Sequence, residues 1–220
     1  MIHVCSLARL HDTVDATGAR HVVTLLKDID RVERPRNIVP ANHLLLGMDD
    51  ITVPMDGYTI PCDEHVSALI TFVRGWDRAK PLVVHCYAGI SRSTAGAYVA
   101  ACALNPHRDE WAIARELRRV SPTATPNSRL VALADRMLCR DGRMVAAIDA
   151  IGRGAIAYEA DPFWLELEQW RPAFADTCGF RITSCSGTLQ KLPNREPAEG
   201  TGLPLSTAAS STGIKRLKRT

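Results

Sequence analysis

No stretch of this chain of 220 residues approaches the roughly 18–20 consecutive apolar residues that cross a bilayer, so no membrane-spanning helix is expected. The N-terminus lacks a basic start followed by an apolar run, and no secretory leader is expected. Cysteine occurs seven times, an odd number without tight spacing. That excludes the disulfide framework of a small secreted scaffold and points to reduced thiols in the cytoplasm. Cys178 and Cys185 have no His nearby at metal-ligand spacing; no metal and no cofactor is expected. Charge of one sign is not in excess: 27 Lys and Arg oppose 24 Asp and Glu, and a net +3 is too mild to imply nucleic-acid binding. No internal repeat is visible. What is left is an ordinary globular chain, long enough for one medium domain.

Its periodicities alternate. Ile2-His3-Val4-Cys5-Ser6-Leu7 and His21-Val22-Val23-Thr24-Leu25-Leu26 read as strands, with a helical segment at 10–17 between them. Asp63 can cap a helix whose Val66, Leu69, Ile70 and Val73 follow at the i, i+3, i+4, i+7 spacing of one buried face. Residues 77–81 turn the chain into Leu82-Val83-Val84, a buried strand, and an Ala-rich helix runs from Ser93 to Ala103. Ile113, Leu117 and Val120 mark a further amphipathic helix, and Leu130, Leu133, Ala134, Met137 and Leu138 another. Strands separated by helices predict a single three-layer α/β domain, with a central, mainly parallel sheet flanked by helices.

The most informative segment lies where one strand meets one helix: Val83-Val84-His85-Cys86-Tyr87-Ala88-Gly89-Ile90-Ser91-Arg92-Ser93-Thr94. A loop there turns successive backbone N–H groups inward and adds the helix dipole, forming a nest for a phosphate dianion from Tyr87, Ala88, Gly89, Ile90, Ser91 and Arg92. Gly89 permits the torsions of a tight curl. Arg92 closes the ring with a planar fork for two anion oxygens. The same positive field favours the thiolate of Cys86, which becomes an attacking group. A bare Cys-x5-Arg proves little, since Cys102 and Arg108 repeat the spacing. That pair lacks an intervening Gly, has Pro106 between its members, and follows the Ala-rich helix instead of a strand.

His85-Cys86-x-Ala88-Gly89-x-Ser91-Arg92-Ser93 resembles the signature of the cysteine-dependent protein tyrosine phosphatases, in the form used by dual-specificity phosphatases. The resemblance covers roughly residues 1–150, which it marks as a phosphatase domain, followed by a weakly defined extension at 151–192. It implies Cys86 as nucleophile, Arg92 as phosphate clamp, Ser93 as the hydroxyl that assists departure of the thiolate, and His85 as a residue ordering the loop from behind. No metal is implied.

Such catalysis needs an acid, because an oxyanion leaves far more readily if a proton reaches it as the bond breaks. The resemblance places an Asp about thirty residues before the Cys. His43-Leu44-Leu45-Leu46-Gly47-Met48 reads as an apolar strand running into Asp49-Asp50. Aligning that strand with the family puts Asp50 at the acid position, with Asp49 next and Asp56 a distant third. The Trp-Pro-Asp acid loop of the classical branch is absent. The turn-rich 121–127 loop ends in Pro126-Asn127; the resemblance makes Asn127 a candidate for the cleft, while capping preference makes it a helix cap. Arg118, Arg119 and Arg129 read as solvated helix faces. Asp161-Pro162 lies too late in the chain to serve a mid-chain nucleophile, and the aromatics around it suggest a short packed element. From 193 onward the Pro, Gly, Ser and Thr content and the basic end predict a disordered tail.

These readings converge on a phosphoprotein as substrate, with phosphotyrosine first and phosphoserine or phosphothreonine open. A phosphate-binding module without turnover and a sulfurtransferase on a related Cys loop are the alternatives.

Overall fold

The computed structural model describes residues 1–167. The expected tail, Cys178, Cys185 and the 151–192 extension beyond residue 167 lie outside the described residues.

Five strands form one sheet in the order β3-β2-β4-β1-β5: β1 (Ile2–Ser6), β2 (His21–Leu26), β3 (His43–Gly47), β4 (Leu82–Cys86) and β5 (Phe163–Leu165). The first four run parallel, and β5 pairs antiparallel with β1 at the edge. A central parallel strand is covered on both faces and has no need of polar alternation. The apolar β4 meets that demand, with all five residues buried. The mainly parallel sheet expected from the sequence is thus present.

One layer of helices covers each face. Helix α1 (Leu10–Thr17) lies on the smaller side, where Leu10 and Val14 pack with Cys5, Val22 and Val83. The larger side carries α2 (Asp63–Gly75), α3 (Arg92–Leu104), α4 (Glu110–Val120), α5 (Ser128–Met137) and α6 (Arg143–Ile151). Helix α2 buries Val66, Leu69, Ile70 and Val73, the four residues its periodicity singles out.

Its cap differs from expectation. Cys62 is the N-cap and Asp63 the first helical residue; His65 Nδ1 accepts from the Cys62 N–H at 3.2 Å, closing the turn that a carboxylate cap would have closed. Asp63 instead accepts from Arg136 at 3.0 Å, joining α2 to α5.

Helix α3 is buried along its whole length. Its small residues allow this: a Cβ on Gly96 would stand 3.2 Å from both Leu25 and Val84 on the sheet. Cys102 sits inside α3 with its carbonyl taken by Arg140, and Arg108 donates to the Glu166 carbonyl, so the second Cys-x5-Arg forms no loop. Two arginines expected on solvated faces serve as ties. Arg118 donates to the carbonyls of Ala124, Gly152 and Arg153, and Arg129 to that of Pro61. Arg119 pairs with Glu116 on the exposed face of α4. Beyond α6 the chain runs without regular structure to β5, where Phe163 and Leu165 point into the core and Asp161 is exposed.

Candidate active site

Strand β4 delivers Cys86 at its carboxyl end, and α3 begins at Arg92, so the intervening loop spans the strand-to-helix junction. The scaffold grips the loop by its carbonyls. Tyr87 O accepts from Leu7 N at 3.1 Å, Ala88 O from Ala160 N at 2.9 Å, and Ile90 O from Thr125 N at 2.9 Å. Thr94 Oγ1 donates to the carbonyls of Ile90 and Ser91 at 2.6 and 2.9 Å. Peptide planes held outward by their oxygens turn their N–H groups to the inside of the curl. Gly89 has φ of 77°, and a Cβ there would stand 3.1 Å from Cys5 C and Ser6 N. Both its torsion and its distance from β1 therefore require glycine.

Inside the curl, Cys86 Sγ lies 3.1 Å from Ser93 Oγ, and the cysteine is buried. Arg92 is buried as well; its Nη1 donates to Met48 O at 2.8 Å. Its Nε is buried without a hydrogen-bond partner, 3.9 Å from Asp50 Oδ2. An unpaired guanidinium N–H at the edge of an anion nest is an arrangement that an anion would complete. Tyr87, 72% exposed, stands at the rim.

The two adjacent carboxylates have different surroundings. Asp50 Oδ1 accepts from Ser91 Oγ and from Asn127 Nδ2, each at 2.8 Å, which brings it against the loop. Asp49 is buried and faces the other way. Its Oδ2 accepts from Thr59 N at 2.8 Å, its N–H donates to Thr59 O at 2.7 Å, and Lys27 lies 3.5 Å from Oδ1. Asp56 is exposed on the turn between Asp50 and Thr59, away from the loop. Asn127 Oδ1 accepts from Leu130 N at 3.1 Å as the cap of α5, while Nδ2 donates to Asp50 Oδ1.

His85 points to the opposite face of the sheet from Cys86. Its Nε2 is 2.6 Å from Thr24 Oγ1, which is in turn 2.8 Å from His43 Nε2. Burial pushes His85 down to about 3 and His43 down to about 4, so both rings are neutral in neutral solution. Thr24 and His43 were not singled out by sequence. Their only signal is that neighbouring parallel strands place them on one face, which is visible once the register is known. On the far side of the loop, Ser6 Oγ donates to Glu159 at 2.5 Å, another contact with no mark in the sequence.

Two hollows flank Asp50. A pocket of about 290 Å³ has Arg92, Asp50, Tyr87, Lys27 and Arg31 on its walls. A groove of about 1220 Å³ leads from Asp50, Ser91 and Asn127 past Val53 to Arg153 and Ile156. Among the described residues no three metal-ligating side chains gather, and no helix is long and apolar enough to cross a membrane.

No family model and no curated protein matches the chain. Solved structures do. The structure of DUSP15 is similar with a TM-score of 0.50 at 15% identity, covering 68% of this chain and 90% of that one. A PTP-2 phosphatase of Cydia pomonella gives a TM-score of 0.49 at 17% identity, over 61% of this chain and 84% of that one. Human DUSP28 gives 0.49 at 14% identity, over 63% and 88%. At such identities what is shared is the fold.

Proposed function

We propose that this chain, which has the fold of a dual-specificity phosphatase, hydrolyses phosphomonoesters on proteins through a phosphocysteine intermediate. The observation that carries the reading is the pairing inside the curl of Cys86 Sγ with Ser93 Oγ at 3.1 Å, beside the buried, unpaired Nε of Arg92.

In the first step the Cys86 thiolate attacks phosphorus and the bond to the leaving oxygen breaks. Arg92 and the loop N–H groups hold the equatorial oxygens, where charge grows in the transition state. Asp50 supplies the leaving oxygen with a proton. Its Oδ1 is occupied by Ser91 and Asn127, so Oδ2 is the oxygen that carries it. In the second step water attacks phosphorus, Asp50 takes up the water's proton, and the S–P bond breaks. Ser93 then donates to the departing thiolate. None of these steps calls on a metal.

The loop residues Tyr87, Ala88, Ile90 and Ser91 are not basic, and Lys27 is partly answered by Asp49. That favours a phosphoprotein over a polyphosphorylated inositol. The long groove beside Asp50 supports the same choice, because it offers room for the residues flanking a phosphorylated side chain. Phosphotyrosine is the first choice among the three phosphoresidues. The free thiol at the centre fits a reducing compartment, the cytoplasm.

The test is turnover of p-nitrophenyl phosphate in EDTA by the wild type, Cys86→Ser and Arg92→Lys. Wild-type activity should persist without metal, Cys86→Ser should lose turnover yet bind vanadate, and Arg92→Lys should lose most activity because an ammonium cannot make the paired contact. Full activity in Cys86→Ser overturns the mechanism. Vanadate binding without wild-type turnover supports a phosphate-binding module, and sulfur transfer from thiosulfate to cyanide supports the sulfurtransferase.

A further inference from the structure

After α6 the chain turns at Gly152, with φ of 62°, and residues 152–157 form one wall of the groove that starts at Asp50 and Ser91. This strap has no regular secondary structure, and its side chains bury little: Gly154 and Ala155 are small, and Ile156 is fully exposed. Apolar packing therefore does not hold it in place. Hydrogen bonds from the neighbouring elements do.

The main tie is Arg118, near the end of α4. Its Nη1 donates to Arg153 O at 3.0 Å, and its Nη2 to Gly152 O and Ala124 O, both at 2.8 Å. One guanidinium thus joins the strap to the loop at 121–125. Gly152 follows the last turn of α6, where unpaired carbonyls gather negative potential, so a cation is favoured there over a neutral donor. Two further bonds close the seam: Gly154 N donates to Thr125 Oγ1 at 3.0 Å, and Ala155 N to Pro122 O at 2.9 Å. The approach is so close that a Cβ on Gly154 would collide with the main chain of Thr123.

The seam is continuous with the candidate active site. Thr125, whose hydroxyl holds the strap, donates its own N–H to Ile90 O of the phosphate loop at 2.9 Å, and Asn127, two residues on, holds Asp50. The wall and the nest therefore share one support, and the position of the strap is fixed relative to Cys86. Across the groove stand Val53 and Met55, both exposed apolar residues, facing Pro126 and Ile156 on the near side.

We propose that Arg118 is a positioning residue for the polypeptide part of the substrate: it fixes the strap as a rigid wall, against which an apolar residue flanking the phosphorylated side chain is held. The proposal rests on the reading of the chain as a protein phosphatase. A wall set in place beforehand spares the complex the entropy of ordering a loose segment when peptide binds. A small aryl phosphate needs the nest and Arg92 but no wall, so it gains nothing from Arg118. Lysine cannot replace the arginine fully, because a planar fork reaches three carbonyls on two segments and an ammonium on a flexible stem does not hold that geometry.

The test compares a fluorescein-labelled decapeptide, carrying a central phosphotyrosine between leucines, with orthovanadate, both bound to Cys86→Ser protein. Arg118→Met in that background keeps the apolar stem and removes every donor. It should weaken the decapeptide about 10-fold, the scale of one or two lost apolar contacts, and vanadate less than about 2-fold. Arg118→Lys should recover part of the loss. With Cys86 restored, Arg118→Met should raise KM for the decapeptide and leave kcat, and both constants for p-nitrophenyl phosphate, near wild type. Gly154→Ala, which pushes the strap off Thr123 without touching Arg118, should give the same selective loss, and it decides the matter if Arg118→Met does not fold. Equal weakening of peptide and vanadate, unchanged peptide binding in a folded variant, or peptide binding that ignores the phosphate overturns the proposal. Failure of the functional reading has a different signature: wild-type protein that neither binds vanadate nor turns over p-nitrophenyl phosphate.

Discussion

Asn127 Nδ2 donates to Asp50 Oδ1 at 2.8 Å, joining the cap of α5 to the carboxylate after β3 across 77 positions of sequence. The same side chain, through Oδ1, caps the N-terminus of α5. Capping the helix and holding Asp50 are separable because they use different atoms.

Asn127→Asp keeps an oxygen for the cap but sets a second carboxylate against Asp50. The melting temperature should stay near wild type, while the alkaline limb of the pH–rate profile moves up, since a like charge holds the proton on Asp50. Asn127→Ala should lose both functions, with about 1 kcal/mol from the missing cap. If Asn127→Asp leaves the alkaline limb where it was, the contact with Asp50 has no part in catalysis.

Asp50→Ala should slow hydrolysis of a phosphopeptide by about 10²–10⁴-fold and that of p-nitrophenyl phosphate far less, because nitrophenolate leaves without a proton. Asp49→Ala removes the acceptor for Thr59 N and the partner of Lys27. It should lower the melting temperature and show no dependence on the leaving group. Exchange of these two behaviours would move the acid to Asp49.

Much of this site can be read in the sequence, but unevenly. The loop from Cys86 to Arg92 is local, and its residues announce a strand end, a curl and a helix start without any partner. Helix α2 is equally legible, since four apolar residues at helical spacing have one reasonable arrangement. Asp49 and Asp50 are different: two carboxylates at a strand end look alike until Thr59 and Lys27 claim one of them. Thr24 and His43 are hidden further, being ordinary strand residues whose meeting depends on register. Arg118 and Arg129 resemble any helical surface arginine, and only the tertiary structure supplies the carbonyls they bind. The three residues of β5 are too few for a period, and their place at the sheet edge is settled by pairing with Ile2–Val4.

Ile156 and Val53 are exposed on the groove beside Asp50, and their replacement should leave the core undisturbed. Ile156→Asp and Val53→Asp should raise KM for a phosphopeptide of ten or so residues about 5-fold more than KM for p-nitrophenyl phosphate, the scale of one lost apolar contact. Equal effects on both substrates would mean that the groove does not hold the peptide.

The two histidines joined through Thr24, His85 and His43, also set a pH limit on stability. Burial pushes His85 down to about 3 and His43 down to about 4, well below the ordinary imidazole value of about 6.5. Between those values and 6.5 the unfolded chain binds protons that the folded chain refuses, so stability falls as pH drops through this window and is flat with respect to these groups above it. Urea midpoints at pH 7.5, 6 and 5 should decline, and His43→Phe should lessen the decline. An unchanged slope in that variant would show that acid sensitivity originates elsewhere.

The antiparallel edge strand bears on how the protein is made. During synthesis Cys86 and α3 leave the ribosome long before residue 165, while the outer edge of β1 is still open and Ala88 O and Ser6 still lack Ala160 and Glu159. An unpaired strand edge invites pairing with other chains. The β1 edge of the parallel sheet must therefore wait, exposed, for β5 to arrive, and the loop that carries Cys86 acquires the support of Ala160 only just before it. A nascent chain released near residue 150 would contain every residue proposed for catalysis and still lack the strand that shields its edge.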